Sequence, residues 1–366
     1  MRIGVDARWN YHGGVGVYVS NLLEVLPPVA ESRGMQIIAY ESPKRPIRTS
    51  HRNLRKIQLK EGCYSPKAQF ELARRSRQDR LDLLHTPFYL APFLVECPTI
   101  ITIHDLIPFL FPVYGPVHRA IVKGGYRLSA SKASHIATDS EATRNDVRRL
   151  LGIPDDRVTT IYCGLDHRVF RPDHQSGEHE YLAATYGITQ PYVMTMSASN
   201  WRTKNLAGAL TAIEGAKDRY PGHFQTVIAG SSIGLEQSGM RDQLRDAVVT
   251  GPVPASDLPK LYRNAAVFVT LSKYEGFGYP LAEAMACGTA CVTSTGGSLP
   301  EIAADAAVCC PDGNYDAAAN AIVELLSHPP GRKLLSEKAV VRSKAFSMEE
   351  FAESMITLYE RVARQV

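Results

Sequence analysis

Short apolar runs alternate with stretches of helical period along most of the chain, the pattern of parallel strands covered by helices on both faces. In the first half the pattern predicts strands at Arg2–Ala7, Gln36–Tyr40, Leu81–His85, Thr99–Ile103, His135–Thr138 and Val158–Ile161. Helices are predicted near Gly16–Leu26, Pro66–Gln78, Pro116–Lys132 and Ser140–Leu150, where Ser140, Glu141 and Thr143 supply helix-start chemistry. A polar break from Cys163 to Glu180, with Arg171-Pro172-Asp173 and Ser176-Gly177, reads as a linker. The alternation then restarts, with strands at Tyr192–Met196, Gln225–Ala229, Ala247–Thr250, Ala266–Thr270 and Thr289–Val292 and helices between them. An α/β protein of two doubly wound domains is therefore expected, at 1–170 and 171–346, with a closing helix over 347–366. In such domains ligands bind beyond the carboxyl ends of the strands, so two of them facing one another would hold substrates in the cleft between.

Composition narrows the class. A length of 366 residues suits two cores of ordinary size, and 45% hydrophobic with 21% charged residues is a soluble, globular balance. No apolar run approaches the roughly 18 to 20 residues of a spanning helix. Because MRIGVDAR opens at once as a buried strand, a cytoplasmic protein without a signal peptide is expected. Seven cysteines without a Cys-x-x-Cys pair, two of them adjacent as Cys309-Cys310, argue against a disulfide framework or a zinc site. The net charge is only +4, but basic residues crowd between Lys44 and Arg80. That run suits anionic lipid head groups or a pyrophosphate-bearing acceptor, and equally a plain solvated surface. Without a helix-turn-helix, finger or RNA-binding signature, it does not point to nucleic acid.

Candidate chemistry concentrates in YEGFGYPLAEAMACG, from Tyr274 to Gly288. An apolar strand (Ala265 to Ser272) leads to Glu275, a glycine-bearing turn follows, and a helix then carries Glu283. Backbone N–H groups at that helix start, around Gly276, Phe277, Gly278 and Tyr279, favour a phosphate. Two flanking carboxylates accept hydrogen bonds from hydroxyls, which together describes a nucleotide sugar. A first glycine loop, Tyr11-His-Gly-Gly-Val-Gly16, follows the opening strand, and Gly13, Gly14 and Gly16 let backbone approach a phosphate. It fails the dinucleotide fingerprint, since Val19 stands where a third glycine belongs. His104 ends the strand Thr99–Ile103, a position that faces ligand rather than core, and Asp105 is expected to orient it.

The stretch from Glu275 to Gly288 closely resembles the signature of the retaining glycosyltransferases of family four, with the two-domain GT-B fold, and the resemblance spans nearly the whole chain. Around ITIHDLIPFLFP (Ile101 to Pro112) it is most similar to a bacterial branch rich in mannosyltransferases of surface-polysaccharide assembly. The resemblance implies that the closing helix crosses back onto the first domain. It also implies roles. His104 would lie against the donor sugar, Lys204 would neutralise the diphosphate, and Val253 in Thr250-Gly-Pro-Val-Pro254 would receive the base through backbone. Glu283 would take the ribose hydroxyls and Glu275 the sugar hydroxyls. Many relatives carry an arginine five residues before the lysine; Ser199 stands there in this chain, and Arg202 is the expected substitute.

Metal-independent transfer of a hexose with retention is thus the expectation, without a cofactor and without an Asp-x-Asp metal motif. Mannose from GDP-mannose comes first as donor, with UDP-hexoses open, and the acceptor is a glycan or lipid-linked saccharide. A sugar-nucleotide epimerase on the same architecture is the alternative, and a non-catalytic sensor is disfavoured by the charged site. The aromatic segments Pro87–Pro92 and Pro108–Tyr114 suit either an acceptor- or membrane-facing surface or core.

Overall fold

The computed structural model describes residues 1–9, 13–63, 65–189, 191–197, 201–231, 236, 239 and 247–364, with backbone only at Trp9, Trp201 and Arg202. These residues form two compact units, Met1–Gly164 with Phe346–Val366, and Leu165–Ala345. The first unit therefore ends somewhat before the boundary expected at 170.

In the first unit the elements run β1 (Arg2–Asp6), α1 (Gly14–Ser32), β2 (Gln36–Glu41), β3 (Leu54–Gln58), α2 (Pro66–Asp79), β4 (Leu83–Thr86) and β5 (Thr99–Ile103). They continue with α3 (Ile107–Leu110), α4 (Pro116–Lys132), β6 (His135–Thr138), α5 (Glu141–Leu151) and β7 (Val158–Thr160). Every strand pairing is parallel, in the order β3-β2-β1-β4-β5-β6-β7. Strand order reverses between β1 and β4, so the carboxyl ends there open a crevice between diverging connections. Register then fixes which loops meet. Ile103 of β5 stands opposite Thr138 of β6, so the next residues, His104 and Asp139, leave the sheet side by side.

The second unit runs α6 (Glu178–Tyr186), β8 (Tyr192–Ser197), α7 (Trp201–Lys204), α8 (Leu206–Arg219), β9 (Gln225–Gly230), β10 (Ala247–Gly251) and α9 (Leu258–Asn264). After these come β11 (Val267–Thr270), α10 (Tyr279–Ala286), β12 (Cys291–Ser294), α11 (Leu299–Ala303), β13 (Val308–Cys310), α12 (Tyr315–Ser327) and α13 (Pro329–Ser343). This sheet is also parallel, ordered β10-β9-β8-β11-β12-β13, and its reversal falls between β8 and β11. Ala209, Ala212, Ile213 and Ala216 of α8 recur at helical spacing and pack with Ala318, Ile322 and Leu325 of α12 over the sheet.

The last helix, α14 (Met348–Ala363), belongs to the first unit. Ser347 caps it by accepting from the Glu350 N–H, and Phe351, Met355, Tyr359 and Val362 are buried along one stripe against that unit. Tyr359 Oη lies 2.7 Å from Nδ1 of the fully buried His85, whose Nε2 meets Thr102 Oγ1 at 2.8 Å. At the rim Arg33 pairs with Glu353 and Glu360.

Several expectations are corrected. α1 starts at Gly14, not Gly16, and runs through Pro27 and Pro28 to Ser32, although the prolines forgo two N–H bonds. Part of the run expected only as basic surface is β3, an edge strand in which just Leu54 and Ile57 are buried while Arg55 and Lys56 face solvent. The two aromatic segments divide: Tyr89 stacks on Tyr126 at 3.8 Å and Phe109 meets the same ring edge-on at 5.7 Å, both packed on the core, whereas Pro112 and Tyr114 are exposed.

Candidate active site

In the second unit the loops after β8 and β11 must meet, because those strands are neighbours. After β8, Asn205 adopts a left-handed conformation and its side-chain amide donates to the Leu271 carbonyl at 2.9 Å. The Lys273 N–H donates to the Thr203 carbonyl at 2.8 Å, so the segment is stitched to the other loop on both sides of Lys204. Lys204 Nζ consequently lies 2.6 Å from both carboxylate oxygens of Glu275. Ser272 Oγ donates to Glu275 Oε1 at 2.7 Å. The carboxylate is nearly buried and the ammonium about a quarter exposed, so a charge-assisted pair is held at a solvent-reachable edge.

The loop of Glu275 has a support that the sequence left unassigned. Thr295-Gly-Gly-Ser298 lies directly beneath it: Ser298 donates through N–H to the Glu275 carbonyl at 3.1 Å and through Oγ to the Phe277 carbonyl at 2.8 Å. A Cβ on Gly296 would stand 2.3 Å from the Ser272 carbonyl oxygen, and one on Gly297 2.4 Å from that of Glu275. Glycine is required at both positions by this backbone-on-backbone contact.

Gly278, at φ +93°, turns the chain into α10 and, as its N-cap, supplies no side-chain hydrogen bond. Glu283 follows on the buried side, with Tyr262 Oη donating to Oε2 at 3.1 Å. Burial drives its pKa up to about 7, against a smaller lowering by the tyrosine. Val253 is half-buried in the loop beyond β10. The structure thus brings Lys204, Glu275 and Ser272 together and sets Gly276, Phe277, Gly278, Tyr279 and Glu283 along the same strand–turn–helix. The Arg202 side chain and Ser199 lie outside the described residues.

In the first unit His104 sits at the carboxyl end of β5, as expected, but its orienting acid is Asp139, not Asp105. Nδ1 lies 2.7 Å from Asp139 Oδ2, while Nε2 lies 3.1 Å from the Pro87 carbonyl oxygen. Asp105 is occupied locally, its Oδ1 accepting from the Ile107 N–H at 2.9 Å to start α3. A carbonyl only accepts, so Nε2 carries a proton; a carboxylate at Nδ1 holds the second. His104 is therefore set up as an imidazolium. Burial pushes its pKa down, but the charge and hydrogen bond of Asp139, helped by the Pro87 carbonyl and the Asp105 charge, leave it raised. Tyr18 of α1 packs its ring edge-on to His104 at 4.8 Å, and Phe351 of α14 packs edge-on to Tyr18 at 5.2 Å. Asp139 Oδ1 is buried without a hydrogen-bond partner among the described residues. Gly13, at φ +98°, forms the helix start of α1; Gly14 is exposed and Gly16 buried, and Tyr11 and His12 lie outside the described residues.

Asp139, Ser272 and the Gly296–Gly297 support are the site residues that sequence reasoning missed. Asp139 had a partial signal: it immediately follows the predicted strand His135–Thr138, as His104 follows Thr99–Ile103.

Residues 12–169 match the family described as Glycosyltransferase Family 4, and residues 184–342 match Glycosyl transferases group 1. The O-antigen chain mannosyltransferase B of Escherichia coli is 30% identical over 292 residues, which cover 76% of this chain and 74% of that one. The chain belongs to glycosyltransferase family 4. As a family member it is an enzyme of glycosyl transfer, with the GT-B type of fold. Among solved structures, sucrose-phosphate synthase from Thermosynechococcus elongatus superposes with a TM-score of 0.79 at 21% identity, covering 100% of both chains. Anabaena Alr3699/HepE in complex with UDP-glucose gives 0.76 at 16% identity over 99% of this chain and 100% of that one. These two are likenesses of fold. Among the described residues no group of three or more His, Cys, Asp or Glu side chains is placed to hold a metal ion.

Proposed function

We propose that the chain transfers mannose from GDP-mannose, with retention and without a metal ion, onto a glycan or lipid-linked saccharide in surface-polysaccharide or glycoconjugate synthesis. The observation that carries the reading is the Lys204–Glu275 pair at the carboxyl ends of β8 and β11. In this proposal residues 1–170 form the acceptor side, 171–346 the donor side, and 347–366 the helix that closes the first. The donor's diphosphate takes Lys204 as its counter-charge, and Glu275, released from the ammonium, accepts the sugar hydroxyls. A cation fixed there stabilises charge building on the leaving group. Arg202 adds to it, Glu283 accepts from the ribose, and backbone about Val253 receives the base.

Because no enzyme nucleophile is assigned, the proposed step is front-face. The bond from the anomeric carbon to the phosphate oxygen breaks, the acceptor oxygen bonds on the same face, and its proton passes to the leaving phosphate. His104, charged through Asp139, polarises the reacting sugar. The Escherichia coli relative named as a mannosyltransferase supports mannose. The fold's likeness to a protein solved with UDP-glucose keeps a UDP-hexose donor as the second reading. NMR of the product's anomeric centre, formed in excess chelator, tests the chemistry: an anomeric configuration matching the donor's (axial glycosidic oxygen, equatorial anomeric proton) at an unchanged rate is expected. An inverted linkage, or activity lost to the chelator, contradicts it.

A further inference from the structure

We propose that α4 is a membrane-lying helix that seats the first unit on an anionic bilayer. This goes beyond the proposed activity and does not depend on it. Three of its large apolar side chains face solvent: Val117 is 76% exposed, Ile121 68% and Leu128 50%. At about 100° per residue they fall within about 40° of one another. Tyr126, Ser129 and Ala130, the residues the helix buries, lie on the opposite side. The outward stripe is therefore not a displaced core face; the core face is present and filled.

Charge identifies what would cover the stripe. Between Asp105 and Asp139 the chain has no Asp or Glu, and α4 carries His118, Arg119, Lys123, Arg127 and Lys132. On the helical wheel His118 and Lys132 flank the apolar stripe on one side and Arg127 on the other. An apolar stripe bordered by cations is the arrangement of a helix lying in a lipid interface, its apolar face in the acyl boundary and its basic residues among acidic head groups. Tyr114, 42% exposed, stacks on His118 at 4.4 Å just ahead of the helix, where an amphipathic ring suits head-group depth.

The helix is also braced as a platform. Arg119 donates to the carbonyls of Pro108 and Phe109 at 2.7 and 2.9 Å, and Lys123 and Arg127 lie over the Phe109 ring at 5.1 and 5.4 Å. The basic run from Lys44 to Arg80 is less suited to lipid. Arg52, Arg55, Arg75 and Arg77 pair there with Glu31, Asp79 and Glu96, and among the described residues the one large apolar side chain it exposes is Phe70.

The test is co-sedimentation of the full chain with vesicles of phosphatidylglycerol and phosphatidylcholine, against phosphatidylcholine alone. Binding to the anionic vesicles only, weakening with salt, is expected. The triple variant Val117→Ser, Ile121→Ser, Leu128→Ser should lower the partition by about tenfold or more. Arg127→Gln and Lys132→Gln should each lower it about fivefold. The triple variant and Lys132→Gln should keep the far-UV spectrum and melting temperature of the parent, because none of these side chains is buried or braces the helix; Arg127→Gln, which loses its place over Phe109, should keep the far-UV spectrum. Equal binding by the triple variant overturns the proposal. So does absence of vesicle binding, or a dimer that the triple variant splits, which would assign the stripe to a second copy of the chain.

Discussion

His104 depends on a partner that sits thirty-five positions away in sequence and one strand away in space. Its raised pKa has a definite sign. A histidine whose folded value lies above the unfolded value of about 6.5 contributes stability that is complete below that pH and lost as pH rises through the folded value. Asp139→Asn should therefore lower the midpoint of the His104 ring nitrogens in 15N NMR and flatten the loss of stability on the alkaline side. A midpoint unchanged from wild type would show that Asp139 does not hold the proton. Glu283 works in the same sense for a different reason, burial rather than a charge partner. Its folded value of about 7 exceeds an unfolded value of about 4.3, so the native state must release a proton that the unfolded chain has already lost. Stability of the second unit should fall as pH rises across that window, and Glu283→Gln should remove the slope in urea melts. An equal slope in the variant would assign the titration to another group.

At the scale of elements, the proposed donor site is built by a strand–turn–helix that rests on a second turn. Gly297→Ala puts a methyl group 2.4 Å from the Glu275 carbonyl at a backbone φ of +60°, so the supporting turn has to move. The variant should lose about 1–3 kcal/mol of stability, the usual cost of a strained position, and should weaken nucleotide binding as Glu275 shifts away from Lys204. Unchanged affinity would mean that the support is dispensable. The sequence read this region well where chemistry and period coincide: Glu275, the glycine turn and Glu283 are where they were expected. It read less where the deciding contact is long-range. The role of Gly296–Gly297 rests on backbone packed against backbone, which leaves no side-chain signature. β3 has only two inward residues among charged ones, and β13 has three residues in all, too few for periodicity. A sequence favours Asp105 over Asp139 because adjacency along the chain is visible in it and strand pairing is not.

For the whole molecule, the parallel alternation gives two doubly wound units because the central apolar runs, Arg2–Asp6, Thr99–Ile103 and Tyr192–Ser197, are buried on both faces and lead into helices. The return of α14 to the first unit came from resemblance, and its physical reason is now visible. Phe351 and Tyr359 complete an aromatic and hydrogen-bonded layer with Tyr18 and His85, directly behind His104. Burial, together with the neighbouring charge of His104, pushes the pKa of His85 down to about 3, so that layer stays neutral behind His104. The central claim, a nucleotide-sugar donor site centred on Lys204 and Glu275, is tested most directly by melting the protein with GDP, UDP or ADP at one saturating concentration. A nucleotide at about 100 times its dissociation constant stabilises the native state by roughly 2.7 kcal/mol. The account predicts a GDP-selective rise in melting temperature that Lys204→Ala largely abolishes. No rise with any of the three nucleotides, or a rise that Lys204→Ala leaves intact, would contradict it.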